Sequence, residues 1–282
     1  MADVPPKAAT PAKFTSLGVR ALTGLSLLAI CGLPIYFGGW LFAGLVALAG
    51  VRILYEWVRM SVPAFTVLDV LIPAAVLFAA LYFAGVMQWK FAILSALAGS
   101  VACGLLTLKR GRMLWAGFGV LYVVLPAIAA VYLRGFGAGF ADDGFAKMAL
   151  IVAAVIGADS FAYLGGSMIK GPKLAPRISP NKTWSGFLSG LILGAAGCAL
   201  VAFWLGLDAK IAFLFAVPVV LLSVAGDLFE SAIKRSLQVK DAGGLLPGHG
   251  GLLDRADSLL FAFLFCAAML YVQPQLWGML AG

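Results

Sequence analysis

A chain of 282 residues that is 63% hydrophobic and only 11% charged carries far more apolar surface than a water-soluble domain can hide. The same figures exclude intrinsic disorder, which needs low hydrophobicity and high net charge. The formal charge of +8, from 20 Lys and Arg against 12 Asp and Glu, would raise nucleic acid as a partner in a soluble protein. No RNA- or DNA-binding motif accompanies it, so no nucleic acid is expected.

Lipid is therefore the main solvent. A hydrocarbon core of roughly 30 Å takes about 20 helical residues per crossing. Apolar runs, set against their charged and turn-like punctuation, predict an all-α polytopic membrane bundle of about nine transmembrane helices. In chain order the crossings fall at 21–37, 40–58, 66–86, 90–108, 113–133, 146–166, 184–206, 210–231 and 256–278. Ahead of them, residues 1–20, with Pro5, Pro6, Pro11, Lys7 and Lys13, read as a flexible cytoplasmic tail. The first apolar run is too long for a cleaved secretory signal and is expected to remain as a span. Gly38-Gly39 divides it from the second. Residues 21–145 then form the N-terminal transmembrane helices and 146–282 a C-terminal transmembrane catalytic region. The cysteines Cys31, Cys103, Cys198 and Cys266 each lie alone in an apolar run, without CxxC spacing, and read as small apolar filler.

Lys and Arg concentrate on the cytoplasmic side of membrane proteins. Nine spans with the N-terminus inside place Lys7, Lys13, Arg20, Arg52, Arg59, Lys109, Arg110, Arg112, Lys170, Lys173, Arg177, Lys182, Lys234, Arg235, Lys240 and Arg255 there. Only Lys90, Arg134, Lys147 and Lys210 face out. This assigns two polar segments, 167–183 and 232–255, to cytoplasmic loops.

Near the C-terminus, Asp227, Glu230, Ser231 and Lys234 are spaced i, i+3, i+4 and i+7, one polar stripe at the inner end of the eighth span. Asp254, Asp257 and Ser258 repeat the first part of that spacing at the start of the ninth. Charges so close to hydrocarbon imply burial in protein with partners. A structural ion-pair network is one reading of them. The segment between favours another: Gly243, Gly244, Gly248, Gly250 and Gly251 surround Pro247 and the only histidine, His249. Such a segment frees backbone N–H groups to curl around an anion and leads into a helix N-terminus, where the dipole also favours negative charge. Carboxylates able to hold a divalent metal, fixed cations and an anion loop together describe a site for metal-bound polyphosphate. Upstream, Lys170, Lys173, Arg177 and Lys182 alternate with Pro172, Pro176 and Pro180 in a stiff, non-helical loop. Positive-inside bias alone could account for its charge. Asp159, inside an apolar run and followed by Ser160 and Tyr163, is a functional candidate because an intramembrane acid is costly.

The stretch SAIKRSLQVKDAGGLLPGHGGLLDRAD, Ser231 to Asp257, resembles the signature of the phosphatidate cytidylyltransferase (CDP-diglyceride synthase) family. ADSFAY and KLAPRISPNKTWSG, between Asp159 and Gly186, resemble its upstream motif. Ser185 stands where the family usually has an acid, so that position is given no metal or catalytic role. The resemblance implies transfer of CMP from CTP to phosphatidic acid, giving CDP-diacylglycerol and pyrophosphate, with Mg2+ alone or Mg2+ and a second cation. It implies a catalytic set of Asp227, Lys234, Arg235, Lys240, Asp241, His249, Asp254 and Arg255, with metal ligands among Asp227, Asp254 and Asp257. Substrate contacts are expected from Asp159, Lys173, Arg177, Ser179, Asn181, Lys182, Ser231, Gly250 and Gly251. The bilayer supplies the lipid substrate, the bacterial inner membrane is the expected location, and the family suggests a homodimer. Two rival classes share parts of this pattern. A CTP-dependent polyprenol- or phytol-type lipid kinase would use the nucleotide half of the site, and a transporter would spread its acids along a pathway.

Overall fold

The computed structural model describes residues 29–243 and 251–281. The tail at 1–20, the beginning of the first span, and His249 and Gly250 lie outside the described residues. Helix α1 covers residues 29–37. It is followed by α2 (Gly39–Ser61), α3 (Val67–Gly85), α4 (Trp89–Leu106), a 3-10 turn at Leu108–Arg110, α5 (Met113–Arg134) and α6 (Asp143–Ile169). Then come β1 (Lys173–Ala175), β2 (Ser179–Thr183), α7 (Trp184–Trp204), α8 (Ala209–Ser236), α9 (Leu253–Val272) and α10 (Gln275–Ala281). Among the described residues, the eight helices α2 to α9 are long and apolar enough to cross a membrane. The chain is a nearly all-α polytopic bundle.

The break between α1 and α2 falls where the glycine pair predicts it. Gly38 (φ 62°) and Gly39 (φ 56°) both take left-handed backbone that side-chain-bearing residues rarely adopt. The turn is clamped by Arg134, fully buried at the end of α5. Its guanidinium pairs with Asp142 at 2.6 Å and donates to the Tyr36 carbonyl at 2.8 Å.

α5 is the central helix, with Val120, Val123, Val124, Ala130, Val131 and Leu133 all buried. Large apolar side chains such as Leu48, Leu71, Phe78, Leu114 and Phe203 instead point out of the bundle. Such a coat would be an aggregation hazard in water and is the expected surface in lipid. The cysteines behave as filler: Cys103, Cys198 and Cys266 are buried, and all four are free.

α6 and α7 pack backbone to backbone. A Cβ added at Gly186 would lie 2.6 Å from the Ala162 carbonyl oxygen, and one at Gly190 2.6 Å from that of Ala158. Without hydrophobic drive inside lipid, such small-residue contacts let helices associate by close packing. Here they bring Asp159 of α6 beside the segment that enters α7.

Several boundaries differ from the sequence expectation. The 167–183 segment is not an irregular loop: α6 runs on to Ile169, and the remainder holds an antiparallel hairpin pairing Lys173 with Thr183 and Ala175 with Ser179. The 232–255 segment is likewise shorter, because α8 continues to Ser236 and α9 begins at Leu253. The polar stripe satisfies helical periodicity beyond the apolar run, so the helix outlasts the hydrocarbon-like sequence. α9 stops at Val272 rather than at 278, since Pro274 cannot continue the helix and α10 starts anew at Gln275.

Candidate active site

The C-terminal ends of α6 and α8, the hairpin, and the N-terminal ends of α7 and α9 enclose a cavity of about 610 Å³. Acids on three helices reach it: Asp159 from α6, Asp227 from α8, and Asp254 and Asp257 from α9. So do the cations Lys182, Lys234 and Arg255, together with Asn181 and Ser258. Tyr163, Leu174, Phe187 and Val224 give the same cavity an apolar wall. Asp159 sits ten residues before the end of α6, about 15 Å along a helix at 1.5 Å per residue. The cavity therefore reaches well below the rim of the bundle.

The hairpin explains how Lys182 arrives. Thr183 caps α7, its Oγ1 accepting the Gly186 N–H at 3.1 Å. Trp184 N–H donates to the Pro172 carbonyl at 3.0 Å, closing the hairpin base. Ser185 Oγ donates to the Lys170 carbonyl and lies 3.1 Å from Thr183 Oγ1. Ser185 thus ties the hairpin to α7. From β2, Lys182 extends to Asp227, with Nζ 2.5 Å from Oδ2. On the other oxygen, Ser231 Oγ donates to Asp227 Oδ1 at 3.4 Å.

Asp254 has a different environment. Lys234 Nζ lies 2.7 Å from Oδ1 and also 2.6 Å from the buried Glu230 Oε2. Gly251 N–H donates to Asp254 Oδ2 at 2.7 Å, and Ala242 N–H approaches the same oxygen at 3.2 Å. Asp254 therefore holds both flanks of the glycine-rich segment against α8. Asp257, almost fully buried, accepts the N–H of Ser258 at 2.6 Å through Oδ1 and faces the cavity.

The chain belongs to the cytidylyltransferase family. Its family model matches residues 18–273. A Brucella abortus biovar 1 (strain 9-941) protein named phosphatidate cytidylyltransferase is 34% identical over 266 residues, 92% of this chain and 93% of the relative. A Mycobacterium leprae (strain TN) protein of the same name is 34% identical over 210 residues, 67% of each chain. A third, from Rickettsia felis, is 42% identical over 110 residues, 36% of this chain and 48% of the relative. The longest of these similarities spans both halves of the bundle, including the helices that carried no recognisable motif.

Within this member of the cytidylyltransferase family, the expected residues separate into two groups. Asp159, Asn181, Lys182, Asp227, Lys234, Asp254, Arg255 and Asp257 line one cavity. Lys173, Arg177, Arg235, Lys240 and Asp241 are exposed and do not line it. Ser179, Ser231 and Gly251 also lie off its wall. Ser231 acts on Asp227, and Gly251 on Asp254.

A hard divalent cation suits the donor set in kind. Asp159, Asp227 and Asp257 present carboxylates to the same space, and magnesium needs only one or two of these when water and phosphate oxygens complete its shell. No three His, Cys, Asp or Glu side chains form a ready-made metal cluster among the described residues. Both oxygens of Asp227 and of Asp254 are engaged, but the partners of Asp227 are the side chains of Lys182 and Ser231, whereas Asp254 is held by Lys234 and by two backbone N–H groups, so Asp254 fits less well as a ligand.

One participant escaped the sequence reading. Glu56 of α2 is fully buried and accepts the Leu253 N–H through Oε2 at 2.8 Å, in the first turn of α9. The signal was an acid inside the apolar run 40–58, the same signal that singled out Asp159.

Proposed function

We propose that the protein transfers CMP from CTP to phosphatidic acid at the cytoplasmic face of the bacterial inner membrane, releasing pyrophosphate and CDP-diacylglycerol. The observation that carries this reading is one cavity in which acids, cations and an apolar wall meet, in a chain of the cytidylyltransferase family. A phosphate group with lipid tails needs both kinds of surface, and a triphosphate needs both charges. The positive-inside distribution supports the cytoplasmic placement, since the hairpin and the ends of α8 and α9 carry the basic clusters.

A phosphatidate oxygen attacks the α-phosphorus of CTP. The new P–O bond forms as the α–β bridging bond breaks, and the electron pair leaves with pyrophosphate. The phosphatidate monoester is already an anion near neutrality, so no strong general base is required. What the protein must do is bring two anions together and neutralise the charge that shifts to the leaving group. Lys182, Lys234 and Arg255 face the cavity where that charge develops. Asp227 and Asp257 would hold magnesium, which supplies charge neutralisation on the triphosphate when bound. Asp254 takes the N–H groups of Ala242 and Gly251, which flank the glycine-rich segment, and His249 is assigned to the phosphates. Leu174, Phe187 and Val224 meet the lipid part of the substrate. Pyrophosphate release from CTP that depends on phosphatidate tests the reading. Release of CDP with a phosphorylated lipid would instead identify a kinase.

A further inference from the structure

Lys234 arrives at the cavity already held by two acids, and one of them has no other part in the site. Gly226, Glu230 and Lys234 stand four residues apart on α8 and form one row. The row faces α9 at both ends. A Cβ added at Gly226 would lie 2.8 Å from the Asp257 carbonyl oxygen, and Lys234 Nζ lies 2.7 Å from Asp254 Oδ1. Glu230, between them, is 1% exposed and does not line the cavity, yet its Oε2 lies 2.6 Å from the same Nζ.

This acid is a poor stabiliser. Its other oxygen, Oε1, is buried without a hydrogen bond among the described residues, and a buried polar atom left unsatisfied costs free energy. Removing one member of a buried ion pair is costly when it strands the other. Here Lys234 would keep Asp254, so nothing is stranded. What Glu230 adds is orientation. A lysine ammonium carries three N–H donors on a flexible four-carbon stem. Glu230 engages it from its own helix and Asp254 from α9, which leaves one donor on a side chain that lines the cavity. The close approach at Gly226 fixes the spacing of the two helices, and with it the separation of the two carboxylates.

We propose that Glu230 is a positioning residue: with Asp254 it clamps the Lys234 ammonium so that the remaining N–H meets an oxygen of the triphosphate in the cavity. This rests on the cytidylyltransferase reading above. Glu230 itself stays off the cavity wall and acts through Lys234.

The test uses full-length protein in detergent. Pyrophosphate release is measured with CTP and phosphatidate varied separately, and thermal unfolding with and without CTP and magnesium. Glu230→Met should lower kcat/KM for CTP by about 10- to 100-fold, the loss typical when a group that orients a contacting side chain is removed. The KM for phosphatidate should stay unchanged, and protection from heat by CTP and magnesium should weaken. Without ligand, the melting temperature should equal or exceed that of wild type, because an apolar side chain replaces an unsatisfied acid. Glu230→Gln keeps an oxygen for Nζ and should fall between Glu230→Met and wild type. Unchanged kcat/KM for CTP in Glu230→Met, or a lower melting temperature with activity falling only in step with the folded protein, would overturn the proposal. Should Glu230→Met fail to accumulate, the isosteric Glu230→Gln decides by the same measurements, with a several-fold loss expected. Lys234→Met should itself weaken CTP binding, and adding Glu230→Met should weaken it no further, since residues that act through one contact are not additive. A further loss in the double variant refutes the clamp. If CTP and magnesium protect the wild type but not Glu230→Met, while the wild type releases no pyrophosphate, the activity reading fails and the clamp stands. Release by the wild type and by Glu230→Met alike leaves that reading intact and removes the clamp.

Discussion

Replacing Asp254 by Asn tests whether this acid works through the glycine-rich segment. Asp254 is 12% exposed in its side chain and gathers three donors: Lys234 Nζ at 2.7 Å, Gly251 N–H at 2.7 Å and Ala242 N–H at 3.2 Å. Asn keeps one acceptor oxygen but turns an NH2 group toward the others. One or two hydrogen bonds to a charged acceptor are then lost, at about 1.5–3 kcal/mol each. Lys234 keeps Glu230 at 2.6 Å, so its charge is not stranded. The cost should therefore stay at or below the about 3–5 kcal/mol of breaking an isolated buried pair. Taking about 3 kcal/mol, kcat/KM for CTP should fall about 100-fold, at 1.36 kcal/mol per factor of ten. The assay is pyrophosphate release by purified protein, with thermal unfolding measured in the same detergent. Wild-type kcat/KM for CTP in a folded Asp254→Asn protein would refute the reasoning.

Other outcomes follow from the same contacts. Lys182→Met removes the cation 2.5 Å from Asp227 and one of three on the cavity wall, so turnover should drop at least about tenfold, as when a charged stabilising group is lost; unchanged turnover in kinetic assays would remove Lys182 from the site. Gly190→Leu drives a side chain into the Ala158 carbonyl, 2.6 Å from the would-be Cβ, and should separate α6 from α7, lowering the melting temperature and activity together. Asp69→Asn breaks the bidentate pair with Arg110 at 2.7 and 2.8 Å, whose hydrogen bond raises the Arg110 pKa above its ordinary value. Because Arg110 is exposed and the pair stands away from the cavity, the melting temperature should change little and the kinetics not at all.

The spans α2 to α9 were legible because a long apolar run has few alternatives in lipid, and the Gly38-Gly39 break because two adjacent glycines punctuate a helix. Of the charged groups that share the cavity, Asp227 with Lys234 and Asp254 with Asp257 were legible because helical spacing puts each pair on a common face, and Asp159 because it interrupts an apolar run; Asn181, Lys182 and Arg255 were reached through the resemblance. The hairpin at 173–183 was not. Its five-residue second strand, SPNKT, has no alternating apolar pattern, and its pairing depends on the Trp184 N–H and Ser185 hydroxyl closing it against α6. Nor could spacing show that Lys240 and Asp241 turn away from the cavity, since that follows from where α8 ends at Ser236. Glu56 lies almost two hundred residues from Leu253, whose N–H it accepts, and only packing of α2 on α5 and α9 brings them together.

The central claim is the reaction, and pyrophosphate release tests it most directly. Purified protein should release pyrophosphate only when CTP, phosphatidate and magnesium are all present, and a folded Asp227→Ala protein should release none. Release without phosphatidate, CDP in place of pyrophosphate, or full activity in Asp227→Ala would contradict the account.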